Sequence, residues 1–331
     1  MNMHRGWIWL AVGSLLGGLQ ADAASAALEA VASWPLPSDA RPPTALAWDP
    51  VERRLFVAAE QADAVWVLDT ERGRWLRPLS VPAPRHLLFE ARPGLLYVSS
   101  GAAGGQVKIL DVNARRTLKT IGNLPEAGRI HRDAPSTRIY VAYGAGALAV
   151  IHGVTGVHTL SVLLPDRPAD FAIETVGHRI FVNLFRSNAV AVVDRLAREM
   201  TDVWPLSEGR GNESMALHEP RQRLYVGCTD PPHIQVLHTS SGKRVARLET
   251  PTVVQWLYVD TARDRLLAGP VSGPLRAWQI EGEDQHRPLP APSEFSNAHP
   301  ACYDPETGRL YVVIPGSPGQ PGLIRCLAWS N

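Results

Sequence analysis

Arginine and histidine stand side by side at Arg85-His86, inside the phrase Ala83-Pro84-Arg85-His86-Leu87-Leu88-Phe89. An arginine fork holds a carboxylate or phosphate through paired hydrogen bonds. A histidine that titrates near working pH can take up and return a proton. Together the two suit anion binding and proton transfer. Eleven His and three Cys also raise metal chemistry, but no H-x-H or H-E-x-x-H spacing occurs, which removes the common zinc arrangements. The nearest approach to a ligand pair is Cys228 with His233 across the loop Thr229-Asp230-Pro231-Pro232, a pairing that would suit copper. The main expectation is no metal. There is no nucleophile elbow, no phosphate-cradling glycine loop and no basic stripe with interleaved aromatics, and no cofactor is expected.

Lys plus Arg number 33 and Asp plus Glu 32, a formal charge of +1. No global field therefore draws the chain to nucleic acid or to an anionic membrane. The expected partner is a small molecule or another protein, and the expected state a monomer. A basic start (His4, Arg5), an apolar run from Trp7 to Leu19 and small residues at Ala21-Asp22-Ala23 and Ala24-Ser25-Ala26 read as a signal peptide over residues 1–26, cleaved after Ala23 or Ala26. Nothing later approaches the roughly 20 apolar residues of a membrane span, so the mature chain is expected in the periplasm or outside the cell. Export permits disulfides, yet Cys228, Cys302 and Cys326 cannot all pair within one chain. They are read as buried strand residues.

The elements that would position Arg85 and His86 belong to a repeat. An "R-L-Y-V" phrase recurs with its aromatic or apolar residue at Phe56, Tyr97, Tyr140, Phe181, Tyr225, Leu267 and Tyr311, at gaps of 41, 43, 41, 44, 42 and 44. A second alternating phrase keeps step with it, as in Val65 to Asp69, Val107 to Asp111 and Val190 to Asp194. Apolar stretches precede the first phrase and follow the second, so each period holds four short strands of period-2 alternation. Four strands per period of about 42 residues form a propeller blade, because each small sheet buries its faces only against the next. Between the third and fourth strands come short polar residues followed by glycine, as in Asp69-Thr70-Glu71-Arg72-Gly73, which is hairpin chemistry. His152 and His238 stand in the column of those turn-starting aspartates and are read as turn caps.

The last unit supplies only three strands, while Val31-Ala32-Ser33-Trp34-Pro35-Leu36 echoes the fourth strand Thr201-Asp202-Val203-Trp204-Pro205-Leu206. The chain is thus expected to be an all-β, seven-bladed propeller over residues 27–331, with an N-terminal strand closing the ring and covering the open edge. The expected blades are 41–82, 83–125, 126–166, 167–209, 210–251, 252–292 and 293–331, the last completed by 28–37. Aligning the blades on "R-L-Y-V" places Arg85, Glu213 and His299 in one column ahead of the innermost strands, and His86, Arg129, Asp170 and Trp256 in the next. These seven residues are the expected ligand site at the channel mouth. Arg85, His86 and Arg129 would form a basic arc, and Trp256 a flat apolar wall.

These phrases resemble the YVTN-type β-propeller repeat over nearly the whole mature chain, from about Leu28 to Trp329. Blades one, two and four match best. Within that family the run Asn212 to Gly227 with Cys228, then Ile234 to Gly242, looks like secreted bacterial YncE-like proteins. His152, His238 and Gln279 depart from the Asp that the family favours. The Arg85-His86 phrase also resembles one in seven-bladed lactonases of the phosphogluconolactonase and muconate-cyclase type, which implies an alternative role as a lactonase-like hydrolase or isomerase using His86 and Arg85. In this chain Ser99-Ser100 replaces the Asn-Glu such lactonases carry after the following strand. The main expectation is a non-catalytic binding protein. A third reading is an accessory protein of a redox system, holding a cofactor or copper.

Overall fold

Each "R-L-Y-V" phrase folds as the second strand of a four-stranded sheet, and its key side chain turns fully inward. Phe56, Tyr97, Tyr140, Phe181, Tyr225, Leu267 and Tyr311 are all at most 1% exposed. The structure, a computed structural model, describes residues 27–37, 42–282, 284–291, 297–317 and 320–330. The expected signal peptide, residues 1–26, lies outside them. Seven four-stranded antiparallel sheets form the ring of a seven-bladed β-propeller. The innermost strands are Ala45–Asp49, Pro84–Glu90, Ile130–Arg132, Pro168–Ile173, Ser214–His218, Val254–Asp260 and Ala301–Asp304. The helical content among the described residues is three short 3-10 turns, Glu60–Ala62, Ala102–Gly104 and Glu219–Arg221.

Blade seven draws on both ends of the chain. Its order from the channel outward is Ala301–Asp304, Arg309–Ile314, Leu323–Trp329 and then Leu28–Pro35. Leu28 pairs with Trp329 and Pro35 with Leu323, while Ala27 and Ser330, 303 positions apart, bond each other. The N-terminal strand therefore closes the ring, as the incomplete last repeat implies.

One apolar cluster fills each of the seven gaps between blades. Polar side chains also cross these gaps. Thr44 Oγ1 donates to the Pro84 carbonyl (3.1 Å), Tyr97 Oη to Gly153 (3.0 Å), Asn183 Nδ2 to Ser214 (3.1 Å) and Ser214 Oγ to Val254 (2.9 Å). Trp256 Nε1 donates to Ala298 (2.9 Å) and Tyr258 Oη to Ala301 (2.8 Å). His131 meets Asp170 at 3.2 Å between blades three and four, and Trp48 stacks on Tyr311 between blades one and seven.

The hairpin chemistry holds residue by residue. Asp69, Asp111 and Asp194 accept turn N–H groups at 2.7–3.0 Å. His152 Nδ1 accepts from Thr155 N and His238 Nδ1 from Ser240 N, so both histidines cap turns. Cys302 and Cys326 are both paired with Tyr311 in register, one on each side, and all three cysteines are free thiols. A strand between them doubles the spacing of about 4.8 Å, out of reach of a disulfide.

Candidate functional site

The N-terminal ends of the seven innermost strands, with the turns leading into them, converge on a cavity of about 340 Å³ to which every blade contributes. Thr44, His86, Arg129, Arg167, Glu213, Gln255 and His299 line it, one from each blade in turn. Thr44, His86, Arg129 and His299 also border a second cavity of about 200 Å³ deeper in the channel, closed around by Leu87, Leu88, Ile130, His131, Trp256, Tyr258 and Ala301. Four of the seven expected residues, His86, Arg129, Glu213 and His299, are thus brought together at the mouth.

Arg129 and Arg167 are both only loosely paired at the cavity, but Arg129 alone of the two sits on a buried carboxylate. Its Nε lies 3.8 Å from the Asp170 carboxylate, and the guanidinium makes no hydrogen bond to a described residue, which leaves its donor fork open to the cavity. Asp170 is buried beneath it and does not line the cavity itself. Burial alone would raise the Asp170 carboxyl. Arg129, His131 at 3.2 Å and the Phe171 N–H at 2.9 Å outweigh burial and hold it below the ordinary carboxylate range. Asp170 is therefore a charged support beneath Arg129.

Arg85 does not join the arc. The innermost strand of blade two bulges between Pro84 and His86, and a bulge re-aims the extra residue. Arg85 turns to the Glu60 carboxylate of blade one (3.0 Å). Gly101 makes room for it, because a Cβ there would lie 2.7 Å from the guanidinium. Trp256 is no wall at the mouth either. It is 4% exposed in the gap between blades six and seven, flat against Gly269, where a Cβ would come within 1.9 Å of the ring, and it borders only the deeper cavity. The column alignment missed Arg167, Glu126 and His131. Arg167 and Glu126 sit in the turns two positions ahead of the first aligned column, 3.9 Å from each other.

Cys228 and His233 are direct cross-strand partners in blade five. His233 Nδ1 bonds the Pro231 carbonyl at 2.7 Å and its Nε2 is buried without a partner, while burial pushes the Cys228 thiol up to about 11. Among the described residues no three His, Cys, Asp or Glu side chains converge as a metal site would require.

Burial, followed by the Arg129 charge, holds His86 at about 3 and His299 at about 4, both below the ordinary 6.5. Both are neutral at neutral pH. The unfolded chain then binds more protons below pH 6.5, so stability falls as pH drops through the window from about 6.5 to 4. Linkage makes the loss on the order of 1–2 kcal/mol per histidine at pH 5. Urea unfolding at pH 7.5 and pH 5.0 should show it, and a His86→Gln/His299→Gln variant should lose part of the pH dependence, the rest falling to His233 and His286, which burial also holds below the ordinary value. An equally steep dependence in that variant would place the protons elsewhere.

A chain of the "Crystal Structure of Mitotic Checkpoint Complex" superposes with a TM-score of 0.74 over 99% of each chain, at 14% identity. The likeness is one of fold. As many as 1674 solved chains match this architecture, and propellers host many unrelated activities, so the site must carry the functional argument. No protein-family model and no curated protein matches the chain. Among the described residues no helix is long and apolar enough to cross a membrane.

Proposed function

We propose that this propeller is a non-catalytic binding protein that captures a small anionic ligand at its channel mouth. The observation that carries the reading is the open guanidinium of Arg129, facing a cavity of about 340 Å³ and seated on a buried carboxylate. A preformed concave site with a few converging polar groups is the usual form of a ligand pocket, and an arginine fork favours carboxylate or phosphate. The lactone-opening alternative needs Arg85 and His86 on one substrate. With Arg85 turned to Glu60 and His86 held at about 3, the pair lacks a proton donor suited to neutral pH. The geometry favours binding over catalysis.

The leader sequence supports a periplasmic or extracellular setting, and the repeat phrase supports YVTN-type, YncE-like kinship. A protein partner on the loops is the second reading.

Phosphate, citrate and short carboxylates at pH 7.5 should raise the melting temperature. Arg129→Ala should weaken their binding roughly 10- to 100-fold, the worth of a hydrogen bond to a charged group, while costing the fold about 1–3 kcal/mol, because the buried Asp170 carboxylate then keeps only His131 and the Phe171 N–H. Calorimetric titration of both proteins checks this. Equal affinity in Arg129→Ala would remove the mouth as an anion site.

A further inference from the structure

The channel changes character along its length. At the mouth the lining is polar, with Arg129, Arg167 and Glu213. In the middle, Leu87, Leu88, Ile130 and Trp256 take over around the neutral His86 and His299. At the far end a third cavity of about 330 Å³ is walled by Leu46, Trp48, Leu87, Phe89, Cys302 and Tyr303. The successive cavities share walls: Arg129, His86 and His299 border the first two, and Leu46, Leu87 and Leu88 border the last two. The Asp304 carboxylate at that end is buried and caps its own turn, accepting from the Glu306 N–H and the Thr307 hydroxyl.

We infer that the channel binds an amphiphilic anion, with its head on Arg129 and an unbranched hydrocarbon chain running past Leu88 into the pocket between Trp48, Phe89 and Tyr303. This rests on the anion-binding reading of the mouth and adds the class of ligand. An aromatic and aliphatic pocket at the end of a water-accessible channel gains free energy only from an apolar occupant. The open guanidinium of Arg129 sets the orientation, head to mouth. An innermost strand of five residues such as Ala45–Asp49 spans about 15 Å. An extended chain covers ~3.6 Å in three bonds, so roughly a dozen bonds cross that distance. The fitting ligand is a straight-chain carboxylate of about a dozen carbons.

The test is calorimetric titration of the wild-type protein at pH 7.5 with straight-chain carboxylates from acetate to decanoate, below micellar concentration. Each added methylene should tighten binding about fourfold, and decyltrimethylammonium should bind at least tenfold more weakly than decanoate. Arg129→Gln should erase that preference for the anionic head. Cys302→Trp, which fills the far pocket, should flatten the dependence on chain length while sparing the short anions. Acetate, phosphate or citrate binding through Arg129 with no gain from chain length would overturn the amphiphile and leave the mouth reading standing. Absence of any Arg129-dependent anion binding would remove both. A chain-length dependence indifferent to head charge and to Arg129→Gln would mean adsorption on the outer surface, and would overturn the inference as well. The wild-type series decides the matter if Cys302→Trp does not fold.

Discussion

Removing residues 27–37 is expected to lower the melting temperature by about 10 °C or more, or to leave the protein aggregated. The deletion takes away the outermost strand of blade seven, paired along its length with Leu323–Trp329. It uncovers the pocket of Leu28, 1% exposed, and that of Leu36, 6% exposed. Each such side chain is worth about 1.5–3 kcal/mol of burial, and a row of backbone donors and acceptors is left open as a template for association. Supplying the missing strand as a separate peptide over residues 27–37 should restore part of the loss. Thermal unfolding followed by circular dichroism, with light scattering for aggregation, reads both results. A deletion variant that stays monomeric and melts with the intact chain would show that the strand is ornamental.

The second large effect concerns a charge pair between blades three and four. Arg195 and Asp133, 7% and 2% exposed at their side chains, are bonded through Arg195 Nη1 and Asp133 Oδ1, and Arg195 also donates to the Gly177 carbonyl. Asp133→Ala leaves the buried guanidinium without its counter-charge and with the Gly177 carbonyl alone, which costs about 3–5 kcal/mol. Replacing both residues, as Asp133→Leu with Arg195→Met, removes the stranded charge and should recover most of that loss. Urea midpoints at constant slope measure it. Single and double variants of equal stability would mean that the cost lies in the turn at Ser136, which Asp133 also holds through a 2.6 Å hydrogen bond.

The fold was legible because one physical demand repeats seven times. Tyr97, Tyr140, Phe181 and their counterparts must fill the gap to the neighbouring blade, so their spacing gives the blade count directly. The turn caps were legible for the same reason, since Asp69, His152 and His238 bond backbone two or three residues away. The channel mouth was legible only in part. Bulges between Pro84 and His86, Pro168 and Phe171, and Val254 and Trp256 add residues to innermost strands without changing the spacing of "R-L-Y-V". A column counted back from that phrase therefore cannot say which of two neighbours faces the channel. Arg85 also answers to a partner 25 positions earlier, Glu60, and to the missing Cβ of Gly101. Nothing in the local sequence announces either one.

The side-chain bonds and ring contacts across the gaps, from Thr44 on Pro84 round to Trp48 on Tyr311, have a mechanical meaning. With the N-terminal strand in place they make the propeller a hoop. In an open stack one blade can lean outward and only its neighbours respond. In a hoop, widening one gap compresses or stretches all the others, so the bore is set by the whole circumference. The mouth residues are consequently held at their spacing before any ligand arrives, and binding gives up little conformational freedom. Selection by such a bore rests on the size and charge of what enters, because the wall does not reshape itself to fit.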